Sequence, residues 1–389
     1  MDASTSLPAA PPRAEAEAQA SEPVWLLLGS KQGDNSQILA LAAALGLPFR
    51  RIQLRFNLLH WLLPAMLGRS LWSVRNRADL RGPPPKLVIS SGLRSVPAAR
   101  WVQAQSQGQS KLVHIGRPWG PFRWFDLVVT TPQYALPTLP NVHHNLLPIL
   151  ADERATAALS PALTASLAAL PRPWTVAVLG GHSRPLRFTV DAATQLAAQL
   201  NQSSGSVLIV GSPRTPAACI EAMRPLLQVP HAIFPFGTGE NPYPALRAEA
   251  DRFVITGDSV QMAAELLVCG KPLKVFPLPE VPDALVRLTR AWRDAAASHR
   301  WLRPAFEWMR HRGLLSSLRD IGLFHRQLEE AGVYQLPDLA RALRAAEKRV
   351  TVHHVQQLLR AAGEPAAISF NELLTASVEQ APQPALHRH

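Results

Sequence analysis

Short runs of continuously apolar residues alternate along the chain with segments whose apolar residues recur at helical spacing. Val24-Trp25-Leu26-Leu27-Leu28 is the first run, and Phe49 to Leu54, Lys86 to Ser90, Lys111 to Ile115, Phe125 to Thr130 and Asn141 to Leu147 continue the series. Runs without a polar alternate suit strands covered on both faces, as in parallel sheets. Helices are predicted between them, among them Ile38 to Leu45, closed by Gly46, and Val96 to Gln105. The pattern breaks over 151–173, where a helix leads into the Pro-rich joint Leu170-Pro171-Arg172-Pro173. It restarts with strands at Trp174 to Leu179, Val207 to Val210, His231 to Pro235, Arg252 to Thr256 and Leu273 to Leu278. The helix predicted from Val260 to Cys269 is stopped by Gly270, with Pro272 just beyond. After Pro282 only helical segments rich in Arg, Trp and Leu follow, over Ala284 to Glu330 and Leu336 to Gly363. The expected fold class is therefore α/β: two doubly wound, Rossmann-like domains with a C-terminal helical extension. The expected boundaries are a disordered tail at 1–22, a first domain at 23–150, a linker at 151–173 and a second domain at 174–282. The helical extension and a second tail, over 380–389, occupy 283–389.

One stretch does not fit the alternation. Phe56 to Trp72 is apolar around most of its circumference and is bracketed by Arg50, Arg51, Arg55, Arg69, Arg75, Arg77 and Arg81. A core helix is the simpler expectation. The alternative is a surface over 55–77 that dips into one leaflet of an anionic membrane, with arginines on the lipid phosphates.

Charge widens the choice of partner and motifs narrow it. Lys and Arg number 40 against 28 Asp and Glu, a formal net charge of +12. Nucleic acid, anionic lipid and anionic small substrates all suit that balance. No zinc finger and no aromatic-basic sheet motif is present, so nucleic acid is not an expected partner. Cys219 and Cys269 lie on apolar helical patterns and read as buried thiols of a reducing compartment. The pairs His143-His144 and His353-His354 are adjacent, so their rings diverge, and no metal site is expected. Residues 1–22 lack the apolar core of a signal peptide, and no run reaches the ~18 apolar residues of a membrane span. The expected location is cytoplasmic, peripheral on the inner face of the cytoplasmic membrane.

Candidate chemistry gathers where the predicted strands end. Gly29-Ser30-Lys31-Gln32-Gly33-Asp34-Asn35-Ser36-Gln37 follows the first strand, in neither the GxGxxG nor the GxxxxGK[ST] order. Ser30, Lys31, Asn35 and Gln37, with Ser91 after the third strand, form a candidate acceptor loop. Asp34 is the candidate general base and His114 the second choice. In the second half, four loops converge on one sheet edge: Gly180 to Ser183, Gly211 to Thr215, Gly237 to Tyr243 and Gly257 to Ser259. Gly180, Gly181, His182, Ser183, Ser212, Arg214 and Thr215 offer amides, hydroxyls and a guanidinium, which suit a diphosphate without a metal. Asn241 and Tyr243 are candidates for the base or sugar. Thr256, Asp258, Ser259, Met262 and Glu265 belong to one strand-turn-helix unit, with Ser259 at the phosphate end. Glu265, about two turns into the helix, is placed to accept both hydroxyls of a ribose; a solvated helix charge is its plainer reading.

Ser259, Glu265, Gly270 and Pro272 match the donor-binding helix of the lipid-linked acetylglucosaminyltransferases of peptidoglycan synthesis, which are GT-B glycosyltransferases. Gly180-Gly181-His182-Ser183 is similar to their Gly-Gly-Ser phosphate loop. More closely, Val24 to Pro279 resembles the bacterial family named after the plant "elongated mitochondria" fission factor. The segments that carry this are Gly29 to Asn35, Gly180-Gly181, Arg214-Thr215-Pro216, Gly239 to Tyr243 and Thr256-Asp258-Ser259-Met262-Glu265. Pro213 stands where the pattern leads one to expect a second Arg. The resemblance implies a GT-B-like fold, with the helices from Ala284 to Arg310 crossing back to the first domain. It also implies a nucleotide-diphosphate sugar as co-substrate, with no other cofactor. The activity expected is metal-independent sugar transfer to a lipid-linked or envelope acceptor in cell-envelope glycan synthesis. A nucleotide-sugar epimerase would use the same pocket. A non-catalytic GT-B-like scaffold, working through protein or membrane association, is the reading from another class, since plant members of the family recruit fission machinery.

Overall fold

The computed structural model describes residues 23–152, 159–311 and 319–361. The tails expected at 1–22 and 380–389, and part of the linker, lie outside the described residues. Every apolar run becomes a strand. β1 (Val24–Leu28), β2 (Phe49–Gln53), β3 (Leu87–Ser91), β4 (Lys111–Ile115), β5 (Leu127–Thr130) and β6 (Val142–His144) form one sheet, in the order β2-β1-β3-β4-β5-β6. β7 (Trp174–Leu179), β8 (Ser206–Gly211), β9 (His231–Phe234), β10 (Arg252–Thr256) and β11 (Leu273–Phe276) form a second, in the order β11-β10-β7-β8-β9. All pairings in both sheets are parallel.

Burial follows from the strand period of two. Trp25 and Leu27 of β1 enter the core on one face of the first sheet, and Val24, Leu26 and Leu28 the core on the other. The helix Gln32–Leu45 covers the second of these faces with Ile38 and Leu41. In the second sheet Val176 and Val178 face one core, and Ala177 and Leu179 the other. Both faces being covered is what a parallel sheet requires, so its strands carry no polar alternates. Strand order reverses between β1 and β3 in the first sheet, and between β7 and β10 in the second. Connections leave in opposite directions at such a point, opening a crevice at the strands' carboxyl ends.

The helical extension ties the two domains together. The helix Ile321–Glu330 places Ile321, Phe324 and Leu328 in the second domain's core. The helix Pro337–Arg360 begins in that core with Ala340 and ends in the first domain's core with Val355. On the way its Glu347 carboxylate accepts from the backbone amides of Leu146 and Leu147, the latter at 3.0 Å. Asn145 Nδ2 donates to Thr351 Oγ1 at 3.2 Å, and His143 meets the His354 ring edge-on at 4.7 Å. Arg344 and Lys348 bind Asp152, at the start of the linker. Glu347 is fully buried, and burial pushes its pKa up to about 8. The segment that crosses back is thus Pro337–Arg360, not Ala284 to Arg310. The physical reason is burial: Pro337–Arg360 places apolar side chains in the cores of both domains, whereas the buried Val286 and Ala296 of the earlier helices belong to neither core.

The expectation of a core helix over Phe56 to Trp72 is also corrected. The chain forms a 3₁₀ turn, Leu58–Trp61, and a single helical turn, Pro64–Leu67. Pro64 has no amide to continue a preceding helix and therefore starts a new one. Leu58 is 80% and Trp61 75% exposed, and Leu63 and Met66 are exposed as well. Cys219 is buried and Cys269 half-buried, both as free thiols.

Candidate functional site

At the β7/β10 crevice one carboxylate organises the loops. Asp258 is fully buried, yet it receives three donors from three directions. The Gly181 amide donates to its Oδ2 at 3.0 Å, the Thr256 hydroxyl to its Oδ1 at 2.7 Å, and Arg214 Nη1 lies 3.0 Å from Oδ2. Thr256 Oγ1 in turn accepts from the Gly180 amide at 2.7 Å. Thr215 Oγ1 contacts the carbonyls of Leu179 and Gly180 at 2.8 and 2.7 Å and accepts from the Ser212 amide at 2.8 Å. The two glycines are needed because backbone and carboxylate come so close. A Cβ at Gly180 would lie 2.0 Å from Asp258 Oδ1, and one at Gly181 would lie 1.9 Å from the Arg214 carbonyl oxygen. Asp258 and the Gly181 amide are therefore bonded to each other, whereas the sequence led one to expect both to face a ligand. Arg214 is half-paired: its guanidinium remains partly exposed, and only one of its five N–H groups faces Asp258.

Next to this cluster the helix Val260–Leu267 begins. Ser259 caps it, its Oγ accepting from the Met262 amide at 3.4 Å. Glu265 accepts from the Tyr243 hydroxyl at 3.1 Å and from Gln261 Nε2 at 3.0 Å. A carboxylate offers about four acceptor positions, so these two bonds orient Glu265 while leaving room for further hydroxyl donors. Burial, with the Glu265 carboxylate beside it, raises the Tyr243 phenol well above its ordinary range. Asn241 Oδ1 accepts from the Tyr243 amide at 3.1 Å, fixing the turn before the helix Tyr243–Glu249. His182 is exposed, and Ser183 is held by a pair of backbone bonds to Leu186. Met262 packs against the core.

The β1/β3 crevice is built differently. The helix Gln32–Leu45 starts six residues earlier than the periodicity predicts, so Gly33, Asp34 and Asn35 lie in its first turn. Asn35 is consumed structurally: its side chain accepts from the Gly29 amide at 2.9 Å and donates to the Gly29 carbonyl at 2.8 Å. Ser30 and Lys31 are exposed, and Gln37 is half-buried. Ser91 Oγ donates to the Ile115 carbonyl at 2.8 Å. Asp34, Gln37, Ser91, Thr130, Tyr134 and Asn145 line a narrow polar pocket at the ends of β3 to β5. A Cβ at Gly92 would stand 3.6 Å from Asp34 Oδ2, which places the carboxylate across the crevice mouth. His114 is withdrawn from the candidates. It is fully buried, faces Ser90 Oγ across 3.0 Å and packs on Phe125; burial pushes its pKa down to about 3.

The two crevices meet. A Cβ at Gly33 would be 3.7 Å from Gln261 Cβ, so the first turn of Gln32–Leu45 faces the first turn of Val260–Leu267. Two helix starts, each carrying about half a positive charge, thus come into contact across the interdomain seam, the second of them following Asp258 and its partner Arg214. The extension also reaches this place: His325 Nε2 lies 3.3 Å from the Gly257 carbonyl, and its Nδ1 meets the Tyr334 hydroxyl. Burial lowers the His325 pKa. The sequence carries no local signal for His325, because nothing in a helical pattern tells which turn a distant helix will touch. Tyr134 was missed for the same reason. Among the described residues no cluster of His, Cys, Asp and Glu could hold a metal ion.

The family model described as mitochondrial fission ELM1 matches residues 32–321 of the chain. The mitochondrial fission protein ELM1 of Arabidopsis thaliana is 28% identical over 218 residues, which cover 49% of this chain and 51% of that protein. The chain thus spans about half the length of this plant relative. An uncharacterized protein of Rickettsia prowazekii is 24% identical over 301 residues, covering 66% of this chain and 83% of that one. Among solved structures, a UDP-glucosyltransferase from Polygonum tinctorium superposes with a TM-score of 0.48 at 12% identity, over 88% of this chain and all of that one.

Proposed function

The chain belongs to the mitochondrial fission ELM1 family, and from that premise we propose that its interdomain cleft binds a nucleoside-diphosphate sugar and transfers the sugar to an acceptor in cell-envelope glycan synthesis. The observation that carries this reading is the pair of helix starts facing each other across the Gly33–Gln261 approach, with Arg214 beside them. Their open amides and the exposed part of the guanidinium suit a diphosphate. Glu265, oriented by Tyr243 and Gln261, suits the ribose hydroxyls. Asp34 is the general base: it stands at the mouth of the polar first-domain pocket, which takes the acceptor hydroxyl. The departing diphosphate is stabilised by fixed donors rather than by a metal. An acceptor carried on lipid fits the exposed Leu58–Trp61 turn, where the Arg94 guanidinium sits 5.7 Å from the Trp61 ring centroid. That surface, within 55–77, is proposed to rest on an anionic membrane at its inner, cytoplasmic face.

The experiment is calorimetric titration with a panel of UDP-, GDP-, ADP- and CMP-sugars, followed by turnover assays. Arg214→Ala and Glu265→Ala should each weaken donor binding by about 10- to 100-fold, the effect of removing one charge-assisted hydrogen bond. Asp34→Asn should lower turnover about 10²- to 10⁴-fold and leave donor affinity unchanged. If no nucleotide-sugar binds, the transferase reading fails.

One observation favours the second reading, a non-catalytic scaffold. Asp258 already neutralises part of Arg214 and consumes the Gly181 amide, so the cluster is satisfied without a ligand. That reading predicts that Glu265→Ala and Asp34→Asn leave cellular function intact.

A further inference from the structure

Beyond β11 the chain forms two consecutive helices, Ala284–Ser298 and Arg303–His311, that touch where a short turn joins them and together form a helical hairpin. Val286 and Ala296 face inward. Leu288 and Trp292, one turn apart, face outward, Leu288 at 66% exposure. In the turn between the helices Trp301 is 75% exposed, and Trp308 on the second helix is exposed too. Large apolar side chains on the outer face of an unburied hairpin are a surface that expects a partner.

The surrounding charge selects the partner. Residues 284–311 carry six arginines against two carboxylates, Asp294 and Glu307. Arg290 is anchored bidentately to Glu280 at 2.7 and 3.0 Å, which fixes the base of the hairpin to the second domain. Indole rings with an apolar body and a polar N–H, interleaved with guanidinium groups, match the headgroup layer of an anionic bilayer. Among the described residues no helix is long and apolar enough to cross a membrane, so contact lies in the plane of the surface.

We propose that this hairpin is a membrane-contacting element, with Trp301 at its tip entering the headgroup layer of an anionic bilayer and Leu288 and Trp292 lying along it. The proposal is independent of what the cleft binds, and it adds a second point of attachment to the one proposed at Leu58–Trp61.

The test is sedimentation of the full chain with phosphatidylcholine vesicles, with and without phosphatidylglycerol. The wild-type chain should bind the anionic vesicles and be released by salt. Leu288→Ser with Trp301→Ser should weaken that binding at least ~10-fold without lowering the melting temperature, because both side chains are exposed. Trp301→Phe should retain it. Leu58→Asp with Trp61→Asp, assayed in parallel, reads the first-domain surface separately. A hairpin variant that binds like wild type overturns the hairpin proposal whatever the first-domain variant does. A wild-type chain that ignores anionic vesicles, or binds pure phosphatidylcholine equally well, also overturns it. So does a dimer in sedimentation velocity without lipid that the hairpin variant abolishes, since the occupant is then a second copy of the chain.

Discussion

At the β7/β10 crevice the Asp258 carboxylate takes bonds from Gly181, Thr256 and Arg214; at the β1/β3 crevice, among the described residues, none hydrogen-bonds the Asp34 carboxylate. Both aspartates follow a strand end in the same kind of fold, and both stand at a reversal of strand order. Asp258 is sealed in and serves as a girder for three loops. Asp34 is half-buried at a pocket mouth and is held only by its backbone. A fixed carboxylate with fixed partners shapes a rigid wall, whereas an uncommitted one is free to accept a proton. On the reading proposed above, recognition belongs to the second domain and proton handling to the first.

Four substitutions test that contrast. The largest effect is expected at Asp258→Ala, which strands the Gly181 amide and the Thr256 hydroxyl and leaves the partly exposed Arg214 without its partner. It should cost about 2–4 kcal/mol of stability in urea denaturation. A loss below about 1 kcal/mol would mean that the cluster is not the girder described. Gly181→Ala comes next. Its methyl group must displace the Arg214 backbone, and about 1–3 kcal/mol should be lost in the same assay; an unchanged midpoint would contradict the close approach.

Glu347→Gln probes a third carboxylate, buried like Asp258 but without a cationic partner. The amide NH₂ cannot accept from a backbone N–H as a carboxyl oxygen does, so about 1–3 kcal/mol should be lost below pH 4.5, where wild-type Glu347 is neutral in both the folded and the unfolded chain. The pH dependence sharpens this. The folded state raises Glu347 from its ordinary value of 4.5 to about 8, so it holds the proton more tightly than the unfolded chain does. The stability from this group is fully present below pH 4.5 and is lost as pH rises through about 8. In Glu347→Gln that slope should be absent; a slope equal to wild type would refute the assignment. The smallest structural effect is expected at Asp34→Asn, under ~1 kcal/mol, mainly the lost interaction with its helix start. Turnover, by contrast, should fall about 10²- to 10⁴-fold. A large stability loss with normal turnover would erase the distinction between the two aspartates.

Much of the architecture was legible because strands covered on both faces leave unbroken apolar runs, as at Val24 to Leu28 and Trp174 to Leu179. The loops at strand ends were legible as well, since Gly180-Gly181, Thr215 and Ser259 are small or hydroxyl residues in turn and cap positions. What the residues do to one another was not. Asp258 reads as a turn residue, and only the fold shows it enclosed by three loops. His114 looks like a proton carrier in a strand pattern, but which face of β4 it occupies decides that it is core. Glu347 sits in a charged helical pattern, and its burial depends on Leu146 and Leu147, about 200 residues earlier in the chain. The start of the helix at Gln32 was missed because its first turn is polar, and apolar periodicity begins only at Ile38.

The bonds of Arg344 and Lys348 to Asp152 have a mechanical consequence. The chain leaves the first domain near Asp152 and returns to it along Pro337–Arg360, and these bonds fasten the outgoing and returning segments side by side. Fastening two tethers at one edge makes that edge the axis about which any opening of the seam between Gly33 and Gln261 would swing, and charge reversal at Asp152, which is 80% exposed, should loosen it at a cost under about 1 kcal/mol without touching either wall.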